Sequence, residues 1–285
     1  MDELTPIRLP DDCNYIAAFL TLGCNLKCSF CINRFGSLER SGTIPGRDWV
    51  RAINRIMPRK GLPVTLQGGE PALHVDFIRI INDIKPDIEI DILTNLQFDE
   101  TELIRHVSPE RLKRDAPYAS IRVSYHPEAM ELKPLAKKVL RLKQAGFSVG
   151  IWAIKHPLQE GKIIEAGQYC AAVGIDFRTK EFLGFYDNRL YGTYSYPDAC
   201  AGNIREKVLC RTTELIIGSD CNVYRCHGDL YAKRAPVGNM LDNEFSIKSG
   251  FRECGFYGTC NPCDVKLKTN RQEVFGHTSV EIKGL

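Results

Sequence analysis

Leu20-Thr-Leu-Gly-Cys24-Asn-Leu-Lys-Cys28-Ser-Phe-Cys31 closes an apolar run with a glycine and then sets three cysteines within eight residues. Intervals of four and three let three thiolates converge on one face of a cuboidal iron-sulfur cluster, which normally takes four cysteines. With three on offer, one iron keeps an open position. An open position separates a catalytic metal site from a closed structural one, a rule drawn for zinc and carried here by analogy. A zinc knuckle is the alternative, but it wants a fourth ligand close by, and no further cysteine comes before Cys170.

Outward from this loop, apolar β-branched runs alternate with amphipathic stretches. Strands are expected at Tyr15 to Leu22, Pro63 to Gln67, Ile88 to Thr94, Ser120 to Tyr125, Phe147 to Ile154 and Ile175 to Lys180. Helical patterns fall at Arg47 to Met57, Val75 to Ile84, Asp99 to Lys113, Leu132 to Ala145 and Gly161 to Val173. Gly146 and Gly174 follow two of them as helix stops. Such an alternation implies a parallel α/β sheet with helices outside, and in β/α barrels the chemistry collects at the carboxyl ends of the strands.

Those ends carry polar residues. The second strand leads into Gln67-Gly68-Gly69-Glu70-Pro71, the third into Leu93-Thr94-Asn95, the fourth into Val123-Ser124-Tyr125-His126-Pro127, and the fifth contains Gly150-Ile151-Trp152-Ala153. With the CxxxCxxC loop and the Phe30 that precedes its third cysteine, these motifs resemble the radical S-adenosylmethionine (SAM) superfamily. The resemblance implies a partial (β/α)6 barrel. It implies that Cys24, Cys28 and Cys31 hold a [4Fe-4S] cluster whose open iron takes the amino and carboxylate groups of SAM. Phe30 stands where the family places a residue by the adenine, and Gly68, Gly69 and Glu70 match the motif that receives the SAM amino group. Asn95, Ser124 and Ile151 match further cofactor contacts by position. His126 and His156, each followed by proline at a strand end, are ordinary loop histidines or substrate contacts.

Regular alternation stops near residue 184. Residues 184 to 197 are rich in aromatics, glycine and turn formers and read as a linker or substrate-facing loop. Seven of the twelve cysteines then fall between Cys200 and Cys263. Glu214 to Ile217 and Asn222 to Arg225 form a hairpin around Gly218-Ser-Asp, bringing Cys210 and Cys226 side by side. The segment resembles the SPASM/twitch-like cysteine-rich extension of radical SAM proteins. The resemblance implies one auxiliary [4Fe-4S] cluster on Cys210, Cys226, Cys260 and Cys263, with Cys254 a competitor for a ligand place. A zinc ribbon on the same four cysteines is the alternative. Cys221 stands where that pattern usually has glycine. Cys221 and Cys254 are candidates for a thiol that returns a hydrogen atom to a substrate radical.

The expected organisation is therefore an N-terminal extension over 1–13, a partial barrel over 14–183 and a small cysteine-rich domain over 184–285. Lys and Arg exceed Asp and Glu by 38 − 35 = 3, without a basic block, so nucleic acid is not an expected partner. No export signal and no membrane-length apolar run is present, so grouped cysteines point to a reducing, cytoplasmic setting. The resemblance further implies a reductase such as flavodoxin or ferredoxin as electron donor. Few residues precede Cys24, which favours a small-molecule substrate, a sugar or nucleotide-linked metabolite, over a peptide that a leader-binding domain would present. A non-catalytic iron-sulfur or zinc scaffold is the remaining alternative.

Overall fold

The computed structural model describes residues 4–33, 43–203, 206–268 and 278–285. Six parallel strands follow one another in the sheet in chain order: β1 (Tyr15–Thr21), β2 (Val64–Gly68), β3 (Ile90–Thr94), β4 (Ile121–Tyr125), β5 (Val149–Lys155) and β6 (Phe177–Glu181). Five helices, α1 (Gly46–Asn54), α2 (Phe77–Asp83), α3 (Glu100–His106), α4 (Leu132–Gln144) and α5 (Glu160–Ala172), connect them. Each expected strand and helix is present within a few residues of its expected ends. The exception is Asp99 to Lys113, where Ser108-Pro109 splits the pattern and a 3₁₀ turn over Pro109–Leu112 replaces the second half. Proline cannot donate into a continuing α-helix.

Strand alternation explains both faces of the sheet. Ile16, Ala18, Leu20, Val64, Leu66, Ile90, Ile92, Ile121, Val123, Val149 and Ile151 point outward and bury against Trp49, Ile53, Ile80, Leu135, Val139 and Ile163 of the helices. Residues one step out of phase, among them Tyr15, Ala17 and Phe19, face the concave interior. Gly146 and Gly174 end α4 and α5 with φ of +93° and +73°, the left-handed turn that glycine adopts without a Cβ penalty.

Residues 184 to 191, expected as linker or loop, form a hairpin instead, β7 (Gly184–Tyr186) with β8 (Arg189–Tyr191). Its two turn residues, Asp187 and Asn188, both carry positive φ, as a tight turn between twisted strands requires. Farther on, β9 (Val208–Thr212) leads into β10 (Glu214–Ile217), β11 (Asn222–Tyr224), α6 (His227–Tyr231), β12 (Gly238–Asn239), β13 (Arg252–Cys254), α7 (Pro262–Val265) and β14 (Val280–Gly284). The hairpin of β10 and β11 forms as expected, but it does not stand apart from the barrel. β10 runs parallel to β1, with Ala17 opposite Ile216, and the sheet continues through β11 to β12, making nine strands. β9, β13 and β14 form a separate three-stranded sheet that carries the cysteine-rich region.

Candidate functional site

The cysteine loop leaves β1 at its carboxyl end and is held by the turn after β2. The Gly69 N–H donates to the Thr21 carbonyl and the Glu70 N–H to the Gly23 carbonyl, both at 2.9 Å. A Cβ on Gly68 would lie 2.0 Å from the Thr21 carbonyl oxygen, and one on Gly69 2.2 Å from that of Gly23. The two glycines are thus required for the loop backbone to seat against the turn. On the far side, the Ser29 N–H and hydroxyl both donate to the Glu128 carboxylate at 2.6 Å. Phe30 lies against the rings of His126 and His156, at centroid distances of 5.5 and 5.4 Å.

Cys24, Cys28 and Cys31 line one cleft of about 300 Å³ together with Phe30, Gly68, Asn95 and His126. All three are free thiols and half-buried. The Leu26 N–H approaches the Cys24 sulfur at 3.4 Å and the Asn95 amide at 3.8 Å, both as donors. Burial pushes the Cys28 thiol up to about 12 and Cys24 upward as well. Thiols so buried ionise when a metal cation takes the negative charge. A three-thiolate set with N–H donors aimed at a sulfur fits a site-differentiated iron-sulfur cluster.

Glu70 takes a different position from the one expected of a cofactor ligand. It is 1% exposed, and its carboxylate accepts from the Thr94 hydroxyl at 2.7 Å, the Asn95 N–H at 2.6 Å and the Ala72 N–H at 3.2 Å. It therefore ties the end of β3 to the turn after β2, while Gly68 is the member of the motif that lines the cleft. Burial holds its carboxyl up to about 7, against those three donors. Asn95 bridges onward, donating to the Asn25 side chain at 2.7 Å and accepting from the Gln97 N–H. Glu128 and Asn25 were not singled out from sequence. Glu128 sits two residues beyond His126, and only the approach of the cysteine loop gives it a role.

Ser124 is half-buried on the same strand face as Arg122, which lines the cleft. Ile151 is fully buried in the helix-facing core, so its side chain lies on the opposite side of the sheet from the cleft. Trp152, next in line, faces inward and packs on Tyr118 and Ala119. Arg122 is aimed by Asp91, itself fully buried, whose carboxylate accepts from Arg122 at 3.0 Å and from Arg114 at 2.8 Å. Lys180 at the end of β6 and Lys266 after α7 also line the cleft. His126 Nδ1 has no hydrogen-bond partner among the described residues, and burial lowers the pKa of both His126 and His156. The Nδ1 of His156 accepts from the Leu158 N–H, and its ring meets Phe182 and Tyr186 edge-on.

The C-terminal cysteines divide. Cys210, Cys226 and Cys260 pack around Ala199, Cys200, Val265 and Val280. Cys263, expected beside them, lines the barrel cleft instead. Asp264 ties the two segments together, accepting from the His227 backbone and imidazole at 2.9 and 2.7 Å and from the Gly228 N–H at 3.0 Å. Cys221 is fully buried in the helix-facing core, at the tight turn of the β10–β11 hairpin with φ +61°. That backbone explains why the related pattern has glycine there. The Cys221 sulfur is buried in that core and is not part of the cleft lining, apart from where a substrate radical would form.

The fold and the loop define a class: a partial parallel α/β barrel with an open three-cysteine site at the carboxyl ends of its strands. Residues 19–157 match the radical SAM superfamily model, so the chain carries a radical SAM domain, and members of that superfamily bind a [4Fe-4S] cluster and SAM. Among known proteins, the GTP 3',8-cyclase of Sulfurovum sp. (strain NBC37-1) is 22% identical over 185 residues, covering 62% of this chain and 56% of the relative. The probable GTP 3',8-cyclase of Pyrococcus abyssi is 37% identical over 78 residues, 27% of this chain and 25% of that protein. The chain thus spans little more than half the length of the first relative. A structure of native anSMEcpe with bound AdoMet and Kp18Cys peptide superposes with a TM-score of 0.55 at 15% identity, covering 83% of this chain and 78% of that one. At that identity the likeness speaks for the fold. No helix among the described residues is long and apolar enough to cross a membrane.

Proposed function

We propose that this chain reductively cleaves SAM and uses the product to abstract a hydrogen atom from a carbon of a small, negatively charged molecule, a sugar or nucleotide-linked metabolite. The observation that carries the reading is the convergence of Cys24, Cys28, Cys31, Phe30, Gly68 and Asn95 on one cleft. When bound, the cluster and SAM supply a 5′-deoxyadenosyl radical, and an auxiliary [4Fe-4S] cluster among the C-terminal cysteines accepts or relays an electron. The chain's own residues do the rest. Glu128 and the Gly68-Gly69 turn hold the loop, Asn95 orients Asn25 and the Cys24 sulfur, and Phe30 offers an aromatic face for adenine.

Arg122, Lys180 and Lys266 bring three cationic side chains to the same cleft, which favours a phosphate- or carboxylate-bearing substrate. Two relatives named for GTP accord with this. A flavodoxin- or ferredoxin-type donor in a reducing cytoplasm fits free cysteines in such numbers.

The test is anaerobic reconstitution with iron and sulfide, reduction by dithionite and chromatography for 5′-deoxyadenosine. The parent protein is expected to produce it from SAM, and the Cys24→Ala, Cys28→Ala, Cys31→Ala triple variant none. A folded, iron-loaded parent that leaves SAM intact would overturn the reading and leave a scaffold.

A further inference from the structure

The six cysteines between Cys200 and Cys263 other than Cys221 offer more thiols than one cluster takes. Their placement separates them. Cys210 lies on β9 opposite Arg252 of β13, and Cys254 lies opposite Val208. Paired residues in an antiparallel ladder share a face, as do residues two apart on a strand. Cys210 and Cys254 are therefore diagonal neighbours on one face of the small sheet, roughly 7–8 Å apart, a span that a group held between the two thiols would bridge.

A second cavity, of about 470 Å³, confirms the shared face. Cys210, Cys226 and Cys254 all line it, whereas Cys260 and Cys263 do not. Cys260 joins Cys210 and Cys226 in one packed group. Cys263 has other surroundings. At the second position of α7, it faces the barrel cleft among Cys31, His227, Tyr231 and Lys266. Its charged neighbours are Lys266, Asp264, Glu214 and Lys180. Cys200 is buried, with its sulfur donating to the Cys260 carbonyl at 3.6 Å.

We propose that Cys254, rather than Cys263, completes the auxiliary ligand set with Cys210, Cys226 and Cys260, and that Cys263 is a free thiol on the wall of the barrel cleft. The assignment rests on the auxiliary-cluster reading and deepens it. The CxxC pair Cys260-Asn-Pro-Cys263 then serves two sites: one thiol holds the auxiliary cluster, and the other meets whatever occupies the cleft.

The experiment uses the full chain with Cys24, Cys28 and Cys31 replaced by alanine, so that iron reports the C-terminal site alone. After anaerobic reconstitution this parent is expected to hold about four irons and four sulfides. Adding Cys254→Ala is expected to bring iron below about one per chain, and adding Cys263→Ala to leave about four. Circular dichroism confirms that each variant is folded, and Cys254→Ser, which keeps an oxygen ligand, is expected to retain a cluster with shifted electron paramagnetic resonance. Iodoacetamide on the loaded parent is expected to alkylate Cys263 and spare the four ligand thiols Cys210, Cys226, Cys254 and Cys260. Loss of iron in Cys263→Ala, or full retention in Cys254→Ala, overturns the assignment. A folded parent that binds no iron overturns the auxiliary-cluster reading itself, an outcome distinct from either.

Discussion

Glu128 illustrates how much one exposed carboxylate can govern. Two donors of Ser29 converge on it at 2.6 Å, so it clamps the stretch between Cys28 and Cys31 to the end of β4. Replacing it with alanine frees the loop without touching a ligand. SAM binding, followed by the change in the cluster's paramagnetic resonance on titration, is expected to weaken roughly tenfold, the order of one charge-assisted hydrogen bond. Glu128→Gln, which still accepts through one oxygen, is expected to fall between. An unchanged titration in the alanine variant would remove the clamp from the account. Glu70 gives a pH signature. Its carboxyl is raised by burial to about 7, above the ordinary value of 4.5. The folded state then holds the proton more tightly than the unfolded state, so the contribution to stability is full below about 4.5 and is lost as pH rises through about 7. Urea unfolding from pH 4.5 to 7.5 is expected to show this decline in the parent and a flatter profile in Glu70→Gln.

The turn after β2 and the hairpin of β10 and β11 each depend on one unusual backbone. At Gly69, an added methyl would lie 2.2 Å from the Gly23 carbonyl oxygen and 2.8 Å from that of Leu22, both backbone atoms that cannot swing aside. Gly69→Ala is expected to cost about 1–3 kcal/mol in urea unfolding and to lower iron retention at the three-cysteine site, since the loop must move. Cys221 is the converse case. Its left-handed φ favours glycine while its buried sulfur fills core space, and these effects oppose each other. Cys221→Gly is therefore expected to stay within about 1 kcal/mol of the parent and to leave SAM cleavage unchanged. A loss of product formation with SAM cleavage intact in the folded variant would return Cys221 to the chemistry.

Because β10 pairs with β1, the C-terminal third of the chain completes the sheet that carries the three-cysteine loop. Lys268 adds a second tie: its ammonium meets the Glu214 carboxylate and the Asn14 side-chain oxygen, all three groups buried. Glu214 starts β10 and Asn14 precedes β1, so the ion pair lies on the seam. Lys268→Met is expected to destabilise the chain by about 3 kcal/mol or more, because Glu214 loses its cation in a buried place. The double variant Lys268→Met, Glu214→Leu is expected to recover most of that loss. If the two losses simply add in thermal unfolding, the pair does not couple the segments.

Sequence alone determined the six strands and five helices of the barrel, because a buried parallel sheet demands unbroken apolar runs and its helices demand a 3.6-residue period. It also determined the three-cysteine loop and the Gly-Gly-Glu turn, whose spacing is local and rests on covalent distance. Contacts between segments far apart in the chain were decided only by the tertiary structure. These are the pairing of β10 with β1, the clamp of Glu128 on Ser29, the inward turn of Glu70 and the parting of Cys263 from Cys260. Spacing along a chain says which thiols can share a turn. Only the packing of strands and helices says which cavity each thiol faces.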